Sequence, residues 1–242
     1  MCDILPDFIN AITASYLVND ICGNELRKWC NGIIIKDMRN GDTYKNGALH
    51  SFDGEPARIR KTYKEWFKDD KLHNDDSPAK IEIIAGRLIE YYYSNGILHR
   101  DDGPAYIEYC IEGKYYDDYF RNNELKKDIS TINKRHFNIC SERWFQNGKE
   151  HRDDGPAVSH WRADGTLYMN IWYQNGKKHR NDYEPADIEY YPDGVLHLER
   201  WYQNGKCHRL DDEPAVIIYN NEGSVIAHKW YVDDVYINTK FM

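Results

Sequence analysis

The chain has 242 residues, and its 40 acidic against 32 basic side chains give a formal net charge of −8 at pH 7. The basic residues are scattered and form no run, which argues against a phosphate backbone as the main partner and leaves no cluster to hold a membrane surface. No apolar stretch approaches the roughly 18 to 20 residues that cross a bilayer, and Met1-Cys2-Asp3 lacks the basic region of a secretion signal. Cys2, Cys22, Cys30, Cys110, Cys140 and Cys207 make no C-x-x-C pair and hold no common place in the pattern, so they read as reduced thiols of a cytoplasmic protein. A hydrophobic fraction of 41% with 14% aromatics suits strands that keep one wet face.

Residues 1–40 stand apart from the rest. Leu5, Phe8, Ile9, Ile12 and Tyr16 fall on one helical face, with Pro6 near the first turn where its missing N–H is harmless, so a short amphipathic helix is predicted over 4–17. A second helical turn is expected to begin near Asn24 and to carry Leu26 and Trp29. One role for this head is a cap over the open edge of whatever follows.

From residue 41 to 242 one phrase returns. Asn95-Gly96-Ile97-Leu98-His99-Arg100 comes back at Asn147, Asn175 and Asn204, and its histidine recurs as His50, His73, His99, His151, His179 and His208. Lys126 fills the gap, so the spacings are 23, 26, 27, 25, 28 and 29 residues, and Ile237 takes the last position after another 29. Such a period means stacked units that bury a core against their neighbours. About eight units are predicted, the fourth degenerate and the last truncated.

Residues Pro185 to Gly205 show how one unit should fold. Ala186, Ile188 and Tyr190 alternate with Asp187, Glu189 and Tyr191, placing apolar residues on one strand face and carboxylates on the other. Asp193-Gly194 supplies a tight hairpin turn, and Asn204-Gly205 the next reversal. The first turn repeats as an aromatic four places before glycine, at Tyr109, Trp161, Tyr190 and Tyr219. Pro78, Pro104, Pro156, Pro185 and Pro214, each followed by Ala, open a strand where a missing N–H costs nothing. The expected fold is mainly β, an open antiparallel array of hairpins with a short helical N-terminal cap.

The Asn-Gly-Lys-x-His and aromatic-x-x-Asp-Gly turns resemble those of MORN-type repeats, over roughly residues 42 to 237. The chain departs from that pattern after the histidine, where Arg-Asp-Asp-Gly-Pro-Ala or a longer Arg-x-Asp-x-Glu-Pro-Ala replaces Gly-x-Gly. This variant resembles divergent repeats in proteins of large DNA viruses and bacterial relatives, which implies a viral protein acting in host cytoplasm. The head, through Leu5-Pro6-Asp7, Ile12, Tyr16-Leu17, Asp20-Ile21, Leu26 and Trp29, resembles the start of an F-box. That resemblance implies that Leu5, Pro6, Ile9, Ile12 and Leu17 dock on a SKP-type adaptor of a cullin–RING ubiquitin ligase while the repeats choose a substrate.

Six histidines in register, each near aspartates such as Asp101 or Asp153, invite a metal or acid–base reading. A residue present once per unit forms a ladder, however, whereas a catalytic or metal centre needs different groups at one point. The ladder is therefore expected to be structural, with imidazole bonded to a turn carbonyl. No phosphate-binding loop, nucleophile elbow or H-E-x-x-H helix occurs, so no enzyme, metal or cofactor is expected. The aromatic pairs Tyr92-Tyr93, Trp144-Phe145, Trp172-Tyr173, Trp201-Tyr202 and Trp230-Tyr231 either stack between neighbouring units or present one ring outward. In the second case Tyr93, Trp144, Trp172, Trp201 and Trp230, with Arg152, Arg180 and Arg209, form a partner-binding stripe. The expected function is protein interaction, as a ligase substrate adaptor or as a self-assembling or virion-associated scaffold.

Overall fold

A computed structural model describes residues 34–37, 40–121, 124–125, 129, 132–181 and 183–242. The expected helical head, with Leu5, Pro6, Ile9, Ile12 and Leu17, lies outside these residues, as does Lys126. Strand structure starts before the expected boundary near residue 41. Ile34–Lys36 pairs with Thr43–Lys45, which pairs with Ala48–Leu49.

The main body is the expected antiparallel array. Thirteen strands form one open sheet whose spatial order follows the chain. They are Arg58–Ile59, Tyr63–Glu65, Lys80–Ile84, Arg87–Tyr91, Tyr106–Ile111, Phe137–Arg143, Val158–Trp161, Leu167–Ile171, Asp187–Tyr190, Leu196–Arg200, Val216–Tyr219, Val225–Val232 and Val235–Phe241.

Two turn types drive this meander. At Asn-Gly both residues are left-handed, as with Asn95 at φ 51° and Gly96 at 82°, which matches the twist of a two-residue hairpin. These turns close short hairpins such as Tyr202–Gln203 with Lys206–Cys207, set apart from the main sheet. The Asp-Gly turn differs from the tight reversal expected of it. Only its glycine is left-handed, Gly194 N–H donates to Tyr191 O at 3.0 Å, and the register slips at Tyr190. This is a longer turn closed by a glycine bulge, repeated at Gly165 and Gly223.

The degenerate fourth unit departs further. The turn expected between Tyr109 and Gly113 does not form; Gly113–Tyr115 is a 3-10 turn, followed by the helix Tyr116–Tyr119 and the hairpin Phe120–Arg121 with Glu124–Leu125. The unit leaves the sheet, and Tyr106–Ile111 pairs directly with Phe137–Arg143. Its Tyr119, Phe120 and Ile129 form a core with Ile83, Leu88 and Phe137. The segment therefore covers one sheet face over the first half of the array.

The short hairpins cover the opposite face. Tyr202 and Cys207 pack on Leu198, Val216 and Ile218, residues that share one face through the pairings Leu198↔Ile218 and Arg200↔Val216. Asp187 stands opposite Arg200 on that face and is fully buried, with Lys178 Nζ at 2.6 Å and Arg200 Nη2 at 3.2 Å. The strand alternation was real, but its carboxylate side is the covered one. A lysine reaching back from the short hairpin supplies the countercharge that makes this tolerable.

Among the cysteines, Cys110 and Cys140 are joined in a disulfide, which corrects the expectation of six reduced thiols. The bond ties the two strands at the base of the inserted fourth unit. Cys207 is free and buried, and burial pushes its thiol up to about 11. Among the described residues no helix is long and apolar enough to cross a membrane.

Peptide mapping without reductant should recover the Cys110 and Cys140 peptides as one linked species. For a sequence separation of 30 residues, replacing both with Ser should lower unfolding free energy by about 3.5 kcal/mol in urea titration. Free thiols at both positions would restore the original expectation.

Candidate functional site

Each of the Asn-Gly hairpins is locked to its neighbour in the stack by a repeated rung. The second turn residue donates its N–H to the preceding hairpin, as Gly96 to Leu72 O, Gly148 to Leu98 O, Gly176 to Glu150 O and Gly205 to Lys178 O, all at 2.8 to 2.9 Å. The first turn residue donates to a histidine: Asn95 N–H to His73 Nδ1, Asn147 to His99, Asn175 to His151 and Asn204 to His179, at 3.1 to 3.3 Å. The imidazole is thus an acceptor of a neighbour's N–H, not a donor to a turn carbonyl as expected. Accepting at Nδ1 places the proton on Nε2. That nitrogen lies 3.2 Å from Asp101 in His99 and from Asp153 in His151, and 2.8 Å from Asn181 in His179.

The first residue of each aromatic pair up to Trp201 is tied through its backbone to the alanine that opens the following strand. Trp144, Trp172 and Trp201 donate their backbone N–H to Ala157, Ala186 and Ala215, and those alanines are completely buried. The arginine eight residues on lies over the ring, with Cζ 4.1 Å from the centroid for Arg100 on Tyr92 and 3.9 Å for Arg152 on Trp144, Arg180 on Trp172 and Arg209 on Trp201. This arrangement accounts for the two loop forms after the histidine. In the glycine form, a Cβ added at Gly155 would meet Arg152 Cζ at 3.0 Å, so the loop backbone closes over the guanidinium. Asp154 then accepts from Arg152 Nε, which holds its carboxyl below the usual carboxylate range. In the longer form, Arg180 and Arg209 instead donate to Pro185 O and Pro214 O.

The second ring turns to the hairpin-covered face. Lys178 Nζ lies 4.9 Å over Tyr202, and Arg143 Cζ lies 5.5 Å over Phe145. Tyr93 and Tyr91 stack with centroids 6.3 Å apart. Of the residues singled out from sequence, Trp201 is buried, and Tyr93, Trp144, Trp172, Trp230, Arg152, Arg180 and Arg209 are half-buried. The structure brings the arginines and tryptophans together as stacked pairs and sends Tyr93 to the other side.

A second set of residues was missed. On the face opposite the short hairpins, one row crosses the sheet through Glu142, Ser159, Asn170, Ile188, Glu199, Ile217, His228 and Lys240, each directly opposite the next. A parallel row holds Trp161 with Leu167, Tyr190 with Leu196 and Tyr219 with Val225. Among the described residues the inserted segment's core reaches neither row. The arginine ladder borders them: the charges of Arg152, Arg180 and Arg209 act on Glu142, Tyr190 and Tyr219. Burial raises the Glu142 carboxyl, with Arg152 pulling the other way. Tyr219 donates its hydroxyl to Glu199 at 2.7 Å. The signal available in sequence was the alternation at Ile188 and Ile217, but not which side the hairpins would cover.

The chain matches no protein-family model, and the search of curated proteins finds no match.

Two substitutions test the frame. Ala186→Leu should cost about 2 to 3 kcal/mol in chemical denaturation, because Ala186 is completely buried and both its backbone groups are bonded, its carbonyl to Trp172 N–H and its N–H to Arg200 O. His151→Ala should cost about 1 kcal/mol by loss of one acceptor at the rung. A neutral result at Ala186 would contradict the packing described.

Proposed function

We propose that this chain is a non-enzymatic protein-interaction repeat protein of MORN-like type, whose open sheet face beyond residue 158 docks a protein partner. The observation that carries the reading is the asymmetry of the sheet. One face is filled by the short hairpins and the first half of the other by the fourth unit. The remaining half presents isoleucine, tyrosine and glutamate side chains in straight rows beside stacked arginines. Tyr, Trp and Arg dominate binding hot spots, and a flat row repeated over several strands suits an extended partner. In this reading the head acts as an F-box-type docking segment for a SKP-type adaptor, on the strength of its Leu5-Pro6 sequence pattern alone.

A second reading, self-assembly as a scaffold, is favoured by one specific observation. Among the described residues the last strand is an unpaired edge, with Val235, Ile237 and Phe241 more than half exposed. Exposed apolar edges are templates for pairing with another chain.

Affinity purification of the intact chain from host extract, read by mass spectrometry, separates these. Ile217→Glu should reduce the docked partner about tenfold with the adaptor retained, while Ile9→Asp should release adaptor and cullin alone. Absence of adaptor with the unaltered chain removes the ligase reading. Sedimentation of purified protein as a monomer up to about 100 μM removes the scaffold reading, since weaker association would not sustain an assembly.

A further inference from the structure

The arginine ladder is shorter than the ladder of aromatic pairs at both ends, since Trp66 has Asn74 eight residues on and Trp230 has Asn238. In the Tyr92, Trp144, Trp172 and Trp201 units, the residue eight places after the ring is an arginine lying over it. For Trp230 that residue is Asn238, which sits in the last strand directly opposite the ring's own residue and accepts from Thr239 N–H. The loop that would return an arginine is missing, because the chain continues from the Asp233-Asp234 turn straight into Val235–Phe241.

Trp230 is nonetheless held as its neighbour is. Its Nε1 donates to Asp212 O at 2.8 Å, as Trp201 Nε1 donates to Tyr183 O at 2.6 Å, in each case a carbonyl 18 residues back in the preceding loop. Among the described residues no cation lies over it. The ring instead borders a cleft of about 230 Å³, lined also by Tyr231, Val232 and Ile237 and by the loop from His208 to Glu213. Asp211, Asp212 and Glu213 in that loop have no ion pair among the described residues, and of the two basic side chains there, His208 and Arg209, the arginine is already engaged with Trp201 and Pro214 O.

We propose that the Trp230 cleft binds an arginine side chain of the protein partner, the guanidinium taking over Trp230 the seat that Arg209 takes over Trp201. The inference rests on the docking role given above and names the chemistry of its terminal contact. Four filled copies of the seat in one chain define what it accepts. An aromatic face attracts a guanidinium, and three carboxylates against one arginine give the cleft the complementary charge. Lysine should be held less well, because it cannot stack a planar fork on the indole.

The test uses the full chain labelled with 5-fluorotryptophan, the Trp230 fluorine line being assigned by its loss in Trp230→Phe. The probes are a capped, glycine-flanked arginine peptide and its lysine and citrulline counterparts. The arginine peptide should move the Trp230 line saturably with a Kd on the order of 1 mM, as suits a single stacked cation. The lysine peptide should bind roughly threefold more weakly, and citrulline, which keeps shape but not charge, should give no saturable shift. Asp211→Asn with Asp212→Asn, which keeps the Asp212 carbonyl, should weaken the arginine peptide about threefold. A Trp230 line that stays still, or moves equally with citrulline, overturns the proposal. So does a concentration-dependent dimer that Trp230→Ala dissolves, since the occupant is then a second copy. A still line together with partner loss in Ile217→Glu sinks only the seat; a saturable line with no partner lost in Ile217→Glu sinks only the docking face.

Discussion

The contact between each Asn-Gly turn and the hairpin before it fixes the spacing on which every other feature depends. One N–H reaches a carbonyl of the previous hairpin and the next reaches a histidine Nδ1, so two backbone donors exposed by the turn are both satisfied by the neighbouring unit. A left-handed turn is needed to aim them, which is why asparagine and glycine recur there. Once hairpins are set at that distance, the tryptophan of one unit lies against the alanine that opens the next strand. The alanines at 57, 79, 105, 157, 186 and 215 are all fully buried, so the gap admits one methyl group and no more. The rung is local and weak, about 1 kcal/mol per bond, but it is repeated and cooperative along the stack.

The fourth unit shows that the rung outranks the order of repeats along the chain. Gly148 donates to Leu98 O, and Asn147 N–H to His99, skipping the hairpin between them in sequence. The ladder closes over the gap, and the displaced unit becomes a lid whose aromatic residues bury Ile83 and Leu88. A disulfide at the base of that excursion holds the flanking strands together where their register slips. An excursion of this length adds chain entropy to the unfolded state, and the crosslink removes part of it.

Much of this was legible in the sequence, for physical reasons that also mark where legibility stops. The hairpins at Asn95, Asn147, Asn175 and Asn204 could be read because left-handed pairs of residues are a local demand. The burial of Asp187 could not, since its partner Lys178 belongs to another element and alternation gives two faces without saying which is covered. The same limit applies to the histidines: a structural ladder was foreseeable from repetition, but the donor proved to be the turn of the following unit. Arg152 and Trp144 were both singled out as surface residues. Their contact with each other emerged only with the loop that folds Gly155 over the guanidinium.

The two loop forms then show how the expected stripe of rings and arginines is arranged, as a run of stacked pairs. An arginine stacked on a tryptophan and capped by backbone or by a proline carbonyl is held in one orientation by its own chain. Its charge is directed along the edge of the open face toward Glu142, Tyr190 and Tyr219. The rows through Ile188 and Ile217 lie outside the cores that the hairpins and the lid form among the described residues. Because the lid stops short of Val158, the rows left uncovered among the described residues belong to the later units, and they run toward Trp230, which like Trp66 has no arginine eight residues on. A partner laid along those rows would reach the free edge at Val235–Phe241 and the Trp230 cleft together. That gives it backbone pairing, apolar area and a seat for one cation within a single extended contact.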